Sequence, residues 1–553
     1  MLGEVVAACG QRFGDAPAYV SADGWPLSYT ELDRLSDEVA GGLRVRGVGE
    51  GDVVALCLPA GPEYPVAYVA AAKVGAVTAG VNPRLSPPER AAVIAVADPR
   101  LVIATRELAP AEHGAAVEEV MAADHVDGVL ATLRVKGHAA ATVPDDPDRP
   151  VVIIFTSGTT GTPKGAWFCN RQLSAITAID IGDRWGGGGR GLIGTATAHL
   201  GFMTKLAGNL RQGGCQYFTH RWRAEEALRF TAEHRLTSVA GIPTQVALML
   251  QAPDFDRYDL ECVKAIVIGG GPATPSLVEE ARRRFDAALM VRYSCTEAAI
   301  GIGTSLTDPL EDAVVSVGRP LNGVALALLD ADDQAVPVGE VGQVCLRSPA
   351  VMSGYWRDVE ATEAAFTEEG FVRTGDLGWL DEAGRLHLAG RTKEMYVRGG
   401  YNVYPIEVES VLADHPSVAA VAVVPRPDPV MGEIGVAVIV PRAGASGPTL
   451  DELRRFGASR LAAYKLPQDV LTVDALPLTA MEKVDRRALT AAVAGLAGAA
   501  PGPGASAGHA AGATPGPGAR AGPAAGAGQA AGATPGPGAR AGPAAGAGEA
   551  PAS

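Results

Sequence analysis

A chain of 553 residues, nearly half of them apolar, can bury more than one core, and its length alone suggests two or three domains. The formal net charge of −15 argues against a nucleic-acid or anionic-membrane partner, and no run of about 18 uncharged apolar residues is present to form a membrane span. Seven scattered cysteines (9, 57, 169, 215, 262, 295 and 345), odd in number and without a C-x-x-C pair, fit reduced thiols in a cytoplasmic protein better than a disulfide framework or a zinc site. The start, Met-Leu-Gly-Glu-Val-Val, carries an acid and no basic n-region, so no secretory signal is expected.

The first hundred residues alternate helix and strand signals. Thr30 is placed to cap a helix with Asp33 three residues on, and Leu32, Leu35, Val39 and Leu43 share one face. Val53 to Leu58 is a short apolar run bounded by Gly51-Asp52 and Pro59, hence a buried strand; Glu63 to Val74 reads as a helix, Gly75 to Val81 as a strand, and Ser86 opens another helix. This β-α-β-α rhythm predicts parallel strands with helices on both faces, and such sheets bind ligands at the carboxyl ends of their strands.

A buried strand, Val151 to Phe155, then breaks into Thr156-Ser-Gly-Thr-Thr-Gly-Thr-Pro-Lys-Gly165. Its glycines let successive N–H groups turn toward one point, while Thr156, Ser157, Thr159, Thr160 and Lys164 add donors suited to phosphate oxygens. It is not a Walker loop: counted from Gly158, the second required glycine falls on Pro163, and Gly165 follows Lys164 in place of Ser or Thr. Gly186 to Gly191 formally matches G-x-G-x-x-G but follows a polar Asp183-Arg184 segment, so a flexible surface loop is expected there.

Three strand-to-loop junctions follow, at Val239–Thr244, Ala265–Pro272 and Met290–Glu297. From about Val314 the spacing shortens to strands and turns (323–330, 342–347, 384–388), a β-rich subdomain. After Gly390-Arg-Thr-Lys393 a small α+β unit is expected: helix over 406–412, strands over 418–424 and 435–440, helix over 450–461. From about Gly498 the chain is a near-perfect repeat of Ala, Gly and Pro (509–528, 529–548) with no Leu, Ile, Val or aromatic residue to bury. Such a tail is expected to be disordered, with a recruitment tether as the functional alternative.

The stretch Thr156–Gly165 resembles the phosphate loop of the adenylate-forming (ANL) superfamily, and further stretches resemble its other motifs in order; the set is closest in form to AMP-forming acyl-CoA synthetases. Tyr293-Ser-Cys-Thr-Glu297 is similar to Tyr-Gly-x-Thr-Glu, which implies that Tyr293 packs on adenine, Thr296 meets the α-phosphate and Glu297 helps hold Mg²⁺. Gly270, Gly271 and Pro272 resemble the segment lying against adenine, and Arg373-Thr-Gly-Asp376 the ribose segment with Asp376 as acceptor. The resemblance implies a ribose contact for Arg391, a hinge at Lys393 and a role in the thiol step for Gly399, Gly400 and Tyr401. Pro477-Leu-Thr-Ala-Met-Glu-Lys-Val-Asp-Arg486 resembles the family's Pro-x-Thr-x-x-Gly-Lys-x-x-Arg, which implies that Lys483 is the catalytic lysine, with Glu482 standing where glycine is usual. The resemblance implies that Thr156, Ser157, Gly158, Thr159, Thr160 and Gly161 hold the nucleotide phosphates, with Lys164 beside them.

Together these imply an α/β protein: a large N-terminal domain (1–390) of doubly wound sheets plus the β-rich subdomain, a small mobile α+β C-terminal domain (391–495), and the disordered Gly/Ala/Pro tail (496–553). The implied activity joins a carboxylic acid to AMP from ATP with Mg²⁺, releasing pyrophosphate, then passes the acyl group to coenzyme A. A carrier-protein thiol is the alternative acceptor, and a non-catalytic protein retaining the fold is the alternative of another class. The acid pocket is expected from His199, Gly241, Ala298 and Gly303, whose small or apolar surroundings favour a hydrophobic acid. The number of copies in the assembly is left open by the sequence.

Overall fold

Helices begin where the sequence supplies caps. Ser28 caps Tyr29–Val45: its hydroxyl accepts from the Glu31 N–H at 3.1 Å, and the Glu31 carboxylate accepts from the Ser28 N–H at 2.8 Å. The expectation of Thr30 as cap is corrected, because it is Ser28 that has a glutamate three residues on, long enough to reach back. Ser86 caps Pro87–Ala97 with Glu89 in the same way. The computed structural model describes residues 1–110, 114–138, 143–156, 163–479 and 483–496. The repeat tail and Ser157, Gly158, Thr159, Thr160, Gly161 and Glu482 lie outside the described residues.

The strands Val53–Cys57, Val77–Gly80 and Leu101–Thr105 are buried at every position and pair in parallel. That is the signature of strands covered on both faces. Val54, Leu56, Ile103, Val152 and Ile154 enter the main core, while Ala55, Cys57, Ala79, Ala104 and Ile153 enter a second cluster on the opposite face. Pro150–Thr156 lies parallel to Val77–Gly80, and Lys164–Cys169 returns antiparallel with Lys164 opposite Thr156. The phosphate-loop stretch thus leaves one strand at Thr156 and returns on its antiparallel neighbour at Lys164, a return strand that Pro163-Lys164-Gly165 hid in the sequence.

A five-stranded sheet holds Ser238–Gly241, Ala265–Gly269 and Ala288–Tyr293 as parallel neighbours, followed by Ile302–Gly303 and Arg319–Pro320. The glycine run before Leu192 is not a loose loop throughout. Arg190–Leu192 is a strand parallel to Cys215–Tyr217, and a Cβ on Gly189 would collide with the Thr237 hydroxyl. Glycine carries no side-chain pattern, so close packing there was invisible to periodicity.

The β-rich segment is an antiparallel sheet, Ala325–Leu329, Gly342–Arg347, Val372–Leu380 and Leu386–Arg391. A short turn then enters the smaller C-terminal domain at Tyr396–Arg398. There Val418–Asp428 and Gly432–Pro441 pair along their length. Val423, Ala437 and Ile439 pack with Val408, Leu412 and Leu453, whereas Ala422, Val424, Val436 and Val438 pack with Leu489 and Val493 of Arg486–Leu496. Among the described residues no helix is long and apolar enough to cross a membrane. All seven cysteines are free thiols, six buried and Cys295 part-buried.

Candidate active site

The three parallel strands Ser238–Gly241, Ala265–Gly269 and Ala288–Tyr293 bring the three expected junctions to one sheet edge. Gly269 stands beside Arg292 in register. Gly270, at φ +79°, and Gly271 lie against Ile242 and Pro243: a Cβ on either would come 3.3 Å from Ile242 Cγ2 or 3.4 Å from Pro243 Cδ. Gly270, Gly271 and Pro272 are exposed at the mouth, and Gly241 is part-buried beside them.

Asp376 is the hub. Buried at 6% exposure, it accepts from the Tyr293 hydroxyl at 2.7 Å and from Arg391 Nε at 2.7 Å, and its own N–H donates to Thr374 Oγ1 at 3.1 Å. The Thr374 hydroxyl donates in turn to the Val344 carbonyl at 2.8 Å, anchoring the turn to the sheet. Arg391 is last in its strand and directly opposite Asp376 in register. Burial, then the Asp376 charge, pushes the Tyr293 phenol well up, so it stays a donor. Burial works against the Arg391 charge, but Asp376 and Glu394 outweigh it and raise its pKa.

Lys483 reaches this hub from the C-terminal domain. The Thr479 N–H donates to the Lys483 carbonyl at 2.7 Å and the Asp485 N–H to the Pro477 carbonyl at 2.8 Å, tying Lys483 to the segment before it. Three residues on, Arg486 clamps Glu409 at 2.7 and 2.8 Å and Glu394 at 3.0 Å, which fixes the chain after Lys483 to its domain. The lysine's pKa is lowered, first by burial and then by Arg391, with Asp376, Glu394 and Cys295 opposing. His199 faces it: burial, then the Lys483 charge, pushes the imidazole down to about 4, and its Nδ1 accepts from the Gly201 N–H at 3.4 Å. The Lys483 charge thus helps keep the imidazole neutral.

Glu297 and Lys164 meet through Tyr355 in a second group, with Thr296 next to Glu297 in the chain. The Tyr355 hydroxyl donates to Glu297 Oε1 at 2.7 Å, and Lys164 Nζ lies 5.0 Å from the centre of the Tyr355 ring. Burial and the Glu297 charge raise the Tyr355 phenol, keeping it a donor. The Thr156 hydroxyl donates to the Lys164 carbonyl at 3.4 Å. No motif pointed to Tyr355; the strand Gly354–Tyr355 reaches Glu297 only because it pairs with Lys164–Cys169. Among the described residues no group of three or more His, Cys, Asp or Glu side chains could hold a metal ion. One carboxylate with nucleotide phosphate oxygens is nonetheless a normal magnesium site, and Glu297 fits that role.

Other expected residues stand apart. Gly399 and Gly400, at φ +56° and +87°, turn the hairpin between Tyr396–Arg398 and Tyr401–Val403. The Gly399 N–H donates to the Met431 carbonyl at 2.7 Å, and exposed Tyr401 stacks on Tyr464 at 4.6 Å. Lys393 is exposed in the turn joining the two domains. Ala298 is fully buried in the main core, and Gly303 pairs with Arg292.

Comparison with known proteins follows the same division. Residues 6–356 match the family model described as AMP-binding enzyme, and residues 407–483 the AMP-binding enzyme C-terminal domain. The chain is 31% identical over 486 residues to a fatty acid–[acyl-carrier-protein] ligase of Streptomyces coeruleorubidus, covering 85% of this chain and 92% of the relative. It is 32% identical over 474 residues to a feruloyl-CoA synthase of Amycolatopsis sp, covering 83% and 93%. The solved amide bond synthetase of Marinactinospora thermotolerans is similar at 30% identity and a TM-score of 0.79, covering 89% of this chain and all of that one.

Proposed function

The chain belongs to the AMP-binding enzymes, adenylate-forming ligases that bind ATP, and from that premise we propose that it activates a hydrophobic carboxylic acid as acyl-AMP and transfers the acyl group to coenzyme A. The observation that carries this reading is the hub in which Asp376 accepts from Tyr293 and Arg391, with the Lys483 charge of the C-terminal domain acting on Arg391 and Asp376. An acid carboxylate oxygen attacks the α-phosphorus, the new P–O bond forms, and the bond to the pyrophosphate oxygen breaks. Lys483 offsets the charge that builds between carboxylate and phosphate. Thr296 donates to the α-phosphate, and the 156–161 loop with Lys164 holds the departing pyrophosphate. Tyr293 and the Gly270–Pro272 backbone enclose adenine. Asp376 spends one lone pair on Tyr293 and one on Arg391, which leaves acceptor sites for the ribose hydroxyls. When bound through Glu297, Mg²⁺ supplies further charge neutralisation at the phosphates.

The second half-reaction needs a different face. A turn at Lys393 withdraws Lys483 and brings up Gly399, Gly400 and Tyr401, which now stand beside Met431 and Tyr464. The thiol sulfur attacks the acyl carbon and AMP leaves. With acyl-AMP formed on the enzyme, coenzyme A is expected to release AMP in stoichiometric amount within one turnover. Faster release by a phosphopantetheinylated carrier protein, or by a free amine, would reassign the acceptor while leaving the first half-reaction intact.

A further inference from the structure

Tyr355 belongs to a short segment that ties together two otherwise separate parts of the site. Gly354–Tyr355 pairs antiparallel with Lys164–Cys169, Tyr355 opposite Ala166, and the Trp356 N–H donates to the Gly165 carbonyl at 2.7 Å. On the near side of the same segment the Ser353 N–H donates to the Trp167 carbonyl at 2.9 Å, and the Met352 N–H to the Glu297 carbonyl at 2.8 Å. Residues 352–356 are therefore bonded at one end to the loop that carries Thr296 and Glu297, and at the other to the strand that begins at Lys164. The Tyr355 N–H itself donates to the Thr362 hydroxyl at 2.8 Å, and that hydroxyl donates to the Asp358 carbonyl at 2.7 Å where the helix Val359–Ala365 begins. A Cβ on Gly354 would stand 2.7 Å from Thr362 Cγ2, so only glycine lets the chain come this close to that helix.

The side chain makes the same bridge. Its hydroxyl donates to Glu297 Oε1 at 2.7 Å, and its ring centre lies 5.0 Å from Lys164 Nζ. Among the described residues Lys164 and Glu297 form no ion pair, although both reach this one tyrosine. A phenol differs from a second charge at this place. Its hydroxyl occupies one carboxylate oxygen and leaves lone pairs for a cation. Its face attracts an ammonium through the ring quadrupole without cancelling the charge. An acid and a base brought together directly would neutralise each other, and neither would then be available to a metal or a phosphate.

We propose that Tyr355 is a positioning residue of the nucleotide site: it holds Glu297 and Lys164 apart, so that the carboxylate is left for a magnesium ion and the ammonium for a phosphate oxygen. The proposal rests on the ligase reading above, since that reading brings the nucleotide phosphates to these two groups.

The test is equilibrium titration of the full chain with ATP, once with Mg²⁺ and once in EDTA, for the wild type, Tyr355→Phe and Tyr355→Leu. Phenylalanine keeps the ring face and loses the hydroxyl. The gain in affinity that Mg²⁺ gives should then shrink by about 10-fold, the lower end for a hydrogen bond to a charged group, while metal-free binding stays at the wild-type value. Leucine loses both contacts, so metal-free binding should also weaken, by about 2- to 5-fold, the scale of an exposed cation–π contact. Thermal unfolding checks that each variant is folded, and if Tyr355→Leu is not, the phenylalanine comparison decides alone. Equal losses with and without Mg²⁺ in Tyr355→Phe would mark a tyrosine needed only for packing and overturn the proposal. So would a phenylalanine variant that matches the wild type in both titrations. Acid-dependent exchange of pyrophosphate into ATP is measured alongside: its absence with the predicted affinities in place overturns the ligase reading and leaves the Tyr355 assignment supported.

Discussion

Lys483→Ala is expected to slow acyl-adenylate formation by about 10²- to 10³-fold in kcat, the scale of removing one preorganised donor at a charge that develops in the transition state. The same variant, given preformed acyl-AMP and coenzyme A, should release AMP at near the parent rate, since the lysine is withdrawn for that step. The lysine is exposed at its surface, but partial desolvation of the ammonium and then the Arg391 charge lower its pKa. Adenylation therefore requires the protonated form and should fail on the alkaline side below the ordinary lysine value of about 10.4. The stability effect has the opposite sense. A depressed lysine carries its burial cost while charged in both states, so stability from this group rises with pH between the folded and unfolded pKa values. A pH profile of single-turnover adenylation and a pH series of thermal unfolding would show the two trends.

Asp376→Ala is expected to remove nucleotide binding at the hub. Two charge-assisted or phenolic bonds, from Arg391 and Tyr293, lose their acceptor together with those meant for ribose. The loss of ATP affinity should be on the order of 10- to 100-fold, as for a lost hydrogen bond to a charged group. Tyr293, buried at 8% exposure, is left with Thr374 at 3.1 Å, whereas Arg391 is half exposed and water replaces its partner. Hence the affinity loss should exceed the loss of stability. Equilibrium nucleotide titration beside thermal unfolding separates them, and Asp376→Asn should fall between, retaining an acceptor without the charge.

The residue runs of the proposed site were legible because nucleotide chemistry demands particular residue types close together. The proposed ribose acceptor, backbone approach to adenine and phosphate cradle each fall on a contiguous run, at Asp376, Gly270-Gly271 and Thr156–Gly165. The doubly wound sheet was legible for a similar reason, through continuous apolar runs such as Val53–Cys57. What escaped depends on tertiary pairing. Tyr355 reaches Glu297 through a two-residue strand with no periodicity of its own. Gly189 and Gly303 carry no pattern at all, though one admits a hydroxyl and the other a guanidinium.

The account stands on one bond-forming event, attack of an acid oxygen on the α-phosphorus of ATP. Carboxylate labelled with ¹⁸O, turned over by the enzyme with ATP and coenzyme A and read by mass spectrometry, follows that oxygen. One label per turnover is expected in the AMP phosphoryl group and none in pyrophosphate. Label in pyrophosphate or inorganic phosphate, or ADP as the nucleotide product, would contradict the account.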